Sequence, residues 1–130
     1  MKTRKIWANF SVKDVERTSR FYHQLGFTEN KSAHPGLASF FFGDDRFVIH
    51  FFQQGSQIDA YLPPGATSPE VIFTLAASSR EEADQWKEKV QAAGGTIYGN
   101  DGQDTSGYYG FMFADPDGHR FNVLVLEEGM

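Results

Sequence analysis

The sequence contains two copies of one pattern, and this repeat constrains the fold more than any other feature. A strand-like run at Ile6–Val12 leads into a helical segment ending at Gly26, and a second run at Val71–Ala77 leads into one ending at Gly94. Each helix is followed by a glycine-bearing loop, an aromatic strand, a tight acidic turn and another aromatic strand. When a β-α-β-β unit is duplicated, a site formed where the two copies meet receives residues from equivalent positions of both copies.

Composition limits the partners that this chain can have. With 130 residues, 40% of them hydrophobic, the chain is long enough for one domain with a real core. Twelve Lys and Arg against seventeen Asp and Glu give a net charge of −5, which weighs against nucleic acid or an anionic membrane as partner. The absence of cysteine excludes disulfides, thiol catalysis and zinc–thiolate sites. The sequence shows no signal peptide and no apolar run near the roughly 20 residues that span a bilayer, so we expect a cytoplasmic protein.

Capping residues and periodic apolar positions predict two helices, at Val15–Leu25 and Arg80–Ala93. Asp14 is the expected N-cap of the first helix, and Ser79 with Glu82 forms a capping box for the second. Each helix has one apolar stripe, and therefore one face to bury.

Alternation along four strands sorts their side chains into two faces. One face is apolar and is expected to pack on the helices, burying Phe10, Val12, Ile49, Phe51, Phe73, Leu75, Phe121 and Val123. The other face is mixed and carries Asn9, Ser11, His50, Thr74, Arg120 and Asn122. A mixed face is either solvent surface or the lining of a polar and aromatic cavity.

Asp115-Pro116-Asp117-Gly118 lies between two strand patterns and predicts a hairpin turn. The spelling also fits the start of a calcium loop, but the downstream Glu of that motif is missing. The polar stretches Gln54–Pro69 and Gly99–Gly107 are predicted to be rims or lids.

Two separated motifs stand out near the ends of the repeat. The opening motif is Asn9–Arg17, followed by Phe21-Tyr22 and Leu25–Phe27, and the closing motif is Asp115–His119. Together they resemble the vicinal-oxygen-chelate superfamily, which contains glyoxalase I, extradiol dioxygenases, fosfomycin-resistance enzymes and bleomycin-binding proteins. The resemblance covers nearly the whole chain. It implies an α+β fold in a single domain, with βαβββ modules at about 1–62 and 68–130. It also implies a cup of curved mixed sheets around the ligand and, commonly, a homodimer.

The resemblance also implies four metal-ligand positions, which the metal-dependent members fill with His, Glu or Gln. In this sequence the four positions fall at Trp7, His50, Ile72 and Asn122. Tryptophan and isoleucine cannot coordinate a metal, and asparagine is a weak ligand for first-row ions. A shift of two residues in the first strand would place Asn9 there, which is no stronger. We therefore predict no metal and no cofactor.

The predicted ligand-binding residues lie on the mixed face and are Trp7, Asn9, His50, Phe52, Thr74 and Asn122. His50 is either satisfied by Asn122 or Asn9, or serves as a base or hydrogen-bond donor to a ligand. Trp7, Phe52 and Tyr61 offer flat walls, unless they are ordinary core or surface residues. Further candidates are Tyr108 and Tyr109 as a rim and Arg120 as the partner of an anion, whereas His34 and His119 are expected to have no ligand role.

Two function classes follow. One is a metal-free protein that sequesters a small, partly aromatic molecule in the cup, as bleomycin-resistance proteins do. The other is an enzyme of lyase, isomerase or dioxygenase type, either metal-dependent through other ligands or with His50 as a base. The cup forms either within one chain or across the dimer.

Overall fold

The structure is a computed structural model that describes residue 2 and residues 5–31, 34–62, 71–98 and 109–125. The chain divides into two compact units, Met1–Thr67 and Ser68–Met130. Within the described ranges, no helix combines the length and apolarity needed to cross a membrane.

The first unit is a βαβββ module with one four-stranded sheet. Its elements are β1 (Trp7–Val12), α1 (Val15–Gln24), β2 (Thr28–Glu29), β3 (Leu37–Phe42) and β4 (Phe47–Gln53), followed by a 3-10 helix at Gln57–Ala60. The strand order is β1-β4-β3-β2. Strand β1 runs parallel to β4, and the other neighbours are antiparallel.

The second unit repeats this topology. Its elements are β5 (Ile72–Ala77), α2 (Arg80–Ala93), β6 (Thr96–Tyr98), β7 (Gly110–Ala114) and β8 (Arg120–Val125). The strand order is β5-β8-β7-β6, and β5 runs parallel to β8. The same order in both units confirms the predicted α+β fold of two βαβββ modules.

The predicted caps start both helices. The carboxylate of Asp14 accepts hydrogen bonds from two backbone N–H groups in the first turn of α1, both at 3.1 Å. The hydroxyl of Ser79 accepts from the backbone N–H of Glu82 at 3.1 Å. The return contact of the capping box differs from expectation, because Glu82 accepts from the backbone and hydroxyl of Ser78 rather than from Ser79. Helix α1 also ends one residue earlier than predicted, with Leu25 as its C-cap.

Gln53, the last residue of β4, ties that strand to the start of α1. Its side-chain oxygen accepts from the backbone N–H of Val15 at 2.9 Å, and its side-chain nitrogen donates to the carbonyl of Lys13 at 2.6 Å. Strand β4 is thereby fixed against the helix entry, which restrains the strand that carries His50.

Each unit has its own aromatic core. In the first unit, the fully buried ring of Tyr22 lies 4.7 Å from Phe51 and 5.6 Å from Phe40, between α1 and the sheet. In the second unit, Phe113 and Phe121 are fully buried, and their rings stack at 5.1 Å. The helices therefore cover the apolar face of each sheet, as the alternation predicts.

The predicted burial is incomplete on the outermost strands. Val12, Ile49, Phe51, Phe121 and Val123 are buried as expected. Phe10, Phe73 and Leu75 keep part of their surface exposed. These three residues belong to β1 and β5, each of which stands at the end of its sheet order. An end strand has a strand neighbour on one side only, so the correct face does not guarantee full burial.

The acidic motif after β7 is a hairpin turn, as predicted. The carboxylate of Asp115 is buried and accepts from the backbone N–H groups of Asp117 at 3.0 Å and His119 at 2.9 Å. Gly118 adopts φ 90°, a conformation that glycine enters without strain. Of the predicted rims, residues 63–69 of the first and all of the second, 99–107, lie outside the described residues.

Candidate functional site

His50 lies in β4 on the face of the first sheet opposite α1. In the strand pairing, His50 stands beside Asn9 of β1 and beside Ser39 of β3. Paired residues share a face, and so do residues two positions apart along one strand. Trp7, Asn9, Ser39, His50 and Phe52 therefore share one face of the first sheet, and this set includes all four predicted site residues of the first unit.

Two aromatic rings flank the imidazole of His50. The ring of Trp7 lies 6.3 Å from it at an interplanar angle of 69°, and the ring of Phe52 lies 5.8 Å from it at 73°. His50 and Phe52 are half-buried, whereas Trp7 is 49% exposed. The imidazole thus has the half-buried ring of Phe52 and the more exposed ring of Trp7 as its aromatic neighbours.

A line of hydrogen-bonded polar side chains fixes Nδ1 of His50. The side-chain amide of Asn30 donates to Ser39 Oγ at 3.1 Å, and Ser39 Oγ lies 2.8 Å from His50 Nδ1. Ser39 is 2% exposed, and its carbonyl accepts from the backbone N–H of Asn30 at 2.8 Å. We call this set the Asn30–Ser39–His50 line. Within the first unit, the hydrogen-bond partner of His50 among the described residues is Ser39 and not Asn9. The alternative that Asn122 satisfies His50 stays a prediction.

The environment of His50 favours its neutral form. Burial lowers the pKa of His50 below its usual 6.5, and the positive charge of Lys5 lowers it further. Both effects favour the neutral imidazole over the charged one. Because the unfolded chain binds this proton more readily, protonation of His50 opposes folding as the pH falls below 6.5.

The second unit carries different residues at the equivalent positions. Asn122 pairs with Thr74 of β5, as His50 pairs with Asn9, and Met112 of β7 takes the place of Ser39. Tyr98 pairs with Met112 at the position that corresponds to Asn30. Asn122 Oδ1 is buried, and no described residue donates a hydrogen bond to it. Methionine offers no donor, so the described residues of the second unit leave this acceptor unsatisfied, where the first unit has a bonded histidine.

The structure thus places four predicted site residues on one sheet face of the first unit and the other two, Thr74 and Asn122, on one sheet face of the second. That all six converge on one cavity stays a prediction. Sequence reasoning missed Ser39 and Asn30. Ser39 was detectable in principle, because it is the one polar residue in Leu37–Phe42.

Tyr109, a predicted rim residue, instead joins the start of β7 to α2. Its hydroxyl donates to Asp84 at 2.6 Å, and the guanidinium of Arg80 lies 4.8 Å from its ring centre. The hydrogen bond to Asp84 raises the pKa of Tyr109 above its usual 10.0. These contacts account for Tyr109 as a surface link between two elements.

The remaining candidates are dispersed. The guanidinium of Arg120 lies 4.8 Å from the ring centre of Tyr98, on the same sheet. Tyr61 is 81% exposed, and His34 lies in an exposed loop. Tyr108 lies outside the described residues.

The comparisons with known proteins agree with this fold. A family model, the Glyoxalase/Bleomycin resistance protein/Dioxygenase superfamily, matches residues 6–123. The chain belongs to this superfamily. The comparison with curated proteins found no significant match.

Solved structures with a similar fold superpose over most of this chain. A hypothetical protein from S. aureus is 30% identical, with 97% of this chain and 96% of that chain covered and a TM-score of 0.86. A glyoxalase-related enzyme from Fulvimarina pelagi is 19% identical, with coverage of 95% and 89% and a TM-score of 0.77. A fosfomycin resistance protein from Mesorhizobium loti is 17% identical, with coverage of 98% and 96% and a TM-score of 0.70. The last two similarities show a shared fold.

The residues that the family resemblance assigns to the four metal-ligand positions do not fit a metal by their chemistry. Two of these residues, Trp7 and Ile72, have no metal-binding group, and each is about half exposed on an end strand. Of the four residues, His50 is the one strong metal ligand, and its Nδ1 is already hydrogen-bonded to Ser39 Oγ. Within the part of the chain that the structure describes, no group of three or more His, Cys, Asp or Glu is placed to hold a metal ion.

Proposed function

We propose that this chain binds a small, partly aromatic molecule on the face that carries Trp7, Asn9, His50 and Phe52, without the metal usual in the superfamily. The observation that carries the proposal is the environment of His50, held at Nδ1 by Ser39 and flanked by two aromatic rings. Flat apolar walls around a fixed polar group are typical of small-molecule sites. An immobilised imidazole orients a ligand with little further loss of side-chain entropy.

The buried amide oxygen of Asn122, to which no described residue donates a hydrogen bond, supports the same function. Leaving a buried acceptor without a donor costs about 1–3 kcal/mol, and native proteins rarely keep such groups without a reason. A ligand that donates a hydrogen bond to Asn122 Oδ1 would recover this energy. Within the proposal, Asn122 and Thr74 are further ligand-binding residues. A homodimer and a cytoplasmic location are further parts of the proposal, and they rest on the family resemblance and the sequence.

Ligand binding is expected to depend on both His50 and Asn122. We expect His50→Ala and Asn122→Ala each to weaken binding by about 1–3 kcal/mol, or about 5- to 150-fold in affinity, since each removes a buried hydrogen bond. A thermal-shift screen of small planar compounds finds the ligand, and calorimetric titration of the variants measures the loss.

His23→Ala is the matched control for this measurement. His23 lies on α1, against the opposite face of the same sheet, and its side chain is 52% exposed. The control is expected to keep the wild-type affinity. A compound whose affinity ignores both His50→Ala and Asn122→Ala would place the binding site elsewhere.

Protein purified without added metal is expected to contain nickel, zinc, iron and manganese well below one ion per chain. The reason is that Trp7 and Ile72 stand where two ligands would be needed. Elemental analysis by plasma mass spectrometry measures this directly. A stoichiometric ion that disappears in His50→Ala would contradict the proposal and favour a metal-dependent enzyme.

A further inference from the structure

The Asn30–Ser39–His50 line ends at Nδ1 of His50, and the role of Nδ1 in that contact sets what the other ring nitrogen presents. We propose that Ser39 and Asn30 are positioning residues that fix His50 as the Nε2–H tautomer, so that the imidazole donates a hydrogen bond and selects ligands with an acceptor, such as a carboxylate or carbonyl oxygen. The ligand class rests on the proposed function, whereas the tautomer is a property of the protein alone.

The argument begins at the hydroxyl of Ser39. The side-chain amide of Asn30 donates to Ser39 Oγ at 3.1 Å and occupies one lone pair of that oxygen. A serine hydroxyl has a single proton to donate. Among the described residues, the acceptor placed to receive that proton is His50 Nδ1, at 2.8 Å. Ser39 is 2% exposed, so a hydroxyl proton without this acceptor would be buried and unpaired.

The tautomer follows from this hydrogen bond. An Nδ1 that accepts from Ser39 carries no proton, and a neutral imidazole then carries its proton on Nε2. The lowered pKa of His50 agrees, because it favours the neutral ring.

His50 therefore offers a ligand the Nε2–H group, which donates a hydrogen bond. Nε2 is on the side of the ring away from Nδ1 and Ser39, and the rings of Trp7 and Phe52 flank the imidazole edge-on. A ligand that places its planar part against these rings meets an N–H group rather than a lone pair. The same geometry removes the lone pair that a general base needs at this nitrogen.

The opposite tautomer, with the proton on Nδ1, would result if the side-chain amide of Asn30 were flipped. With the amide of Asn30 turned over, its oxygen would accept from Ser39, Ser39 would accept from Nδ1–H, and Nε2 would carry a lone pair. His50 would then be a candidate base.

The tautomer is measured by two-dimensional ¹⁵N–¹H NMR of the ¹⁵N-histidine-labelled protein without ligand. We expect His50 to show Nε2 protonated and Nδ1 bare, and Ser39→Ala to move both nitrogens toward a mixture of tautomers. The control Ser56→Ala removes an exposed serine hydroxyl of the same unit and is expected to change neither nitrogen. A protonated Nδ1 in the wild type, or no change in Ser39→Ala while the backbone spectrum stays native, would overturn the assignment.

Ligand selection is tested separately with two small probes, benzoate as an acceptor and benzylamine as a donor. Titration followed at His50 Nε2 is expected to show benzoate binding at least about fivefold more tightly than benzylamine. Equal affinities, or tighter binding of benzylamine, would overturn the proposed ligand class. If the ligand-binding proposal itself is wrong, the probes will bind His50→Ala as tightly as the wild type. The tautomer result would not be affected by that outcome.

Discussion

Replacing Phe121 with alanine is expected to lower the free energy of unfolding by about 3–5 kcal/mol. Phe121 is fully buried in β8, its ring stacks on Phe113 at 5.1 Å with an interplanar angle of 9°, and it lies 5.9 Å from the ring of Phe73. Truncation removes the centre of this aromatic group and leaves a cavity that the surrounding strands can close only in part. Equilibrium denaturation by urea measures the loss.

Leu124→Ala is the control on the same strand. Leu124 points to the opposite face of β8 and keeps part of its surface exposed, so its truncation is expected to cost less than that of Phe121. A loss below about 1 kcal/mol for Phe121→Ala would mean that the two faces of β8 have been assigned the wrong way round.

Replacing Gly110 with alanine is expected to destabilise the protein by about 3 kcal/mol, at the upper end of the usual cost of overpacking. A Cβ at this position would lie 1.9 Å from the carbonyl oxygen of Val123 and 2.8 Å from the side chain of Leu124. The nearer atom belongs to the backbone of β8, which cannot rotate away as a side chain would. Strands β7 and β8 would therefore have to separate.

Gly43→Ala separates this clash from the general effect of losing a glycine. Gly43 has φ 74°, and an added Cβ there meets nothing within 4 Å, so the expected cost is only the backbone strain of about 1–2 kcal/mol. Thermal unfolding of both variants compares the two costs. If Gly110→Ala is no more damaging than Gly43→Ala, the close approach of β7 to β8 is not a constraint on the fold.

Much of this fold is predictable from sequence because its determinants are local. Asp14 and Ser79 cap helices whose first turns follow them directly, and alternation alone places Phe51 and Phe121 on the inner faces. Burial is less predictable, since it depends on where a strand stands in its sheet. Phe73 has the correct orientation and is still partly exposed, because β5 is an end strand.

The candidate site shows the same division. Alternation identified the face that carries His50, and the family resemblance pointed to its position. The partner of His50 could not be found in this way, because Ser39 reaches it through the pairing of β3 with β4, which neither strand encodes alone. That no described residue donates to the amide oxygen of Asn122 likewise depends on Met112, its neighbour on a different strand.

The difference between Ser39 and Met112 shows how two copies of one fold can place different hydrogen-bonding groups at equivalent positions. Both residues stand at the same point of the same strand pattern, so the backbone does not decide which copy holds an internally bonded polar group. The side chains at three equivalent positions decide it, namely Asn30, Ser39 and His50 in the first unit and Tyr98, Met112 and Asn122 in the second. A few substitutions on a fixed backbone are therefore enough to change which half of the chain presents a polar group that still needs a hydrogen-bond partner.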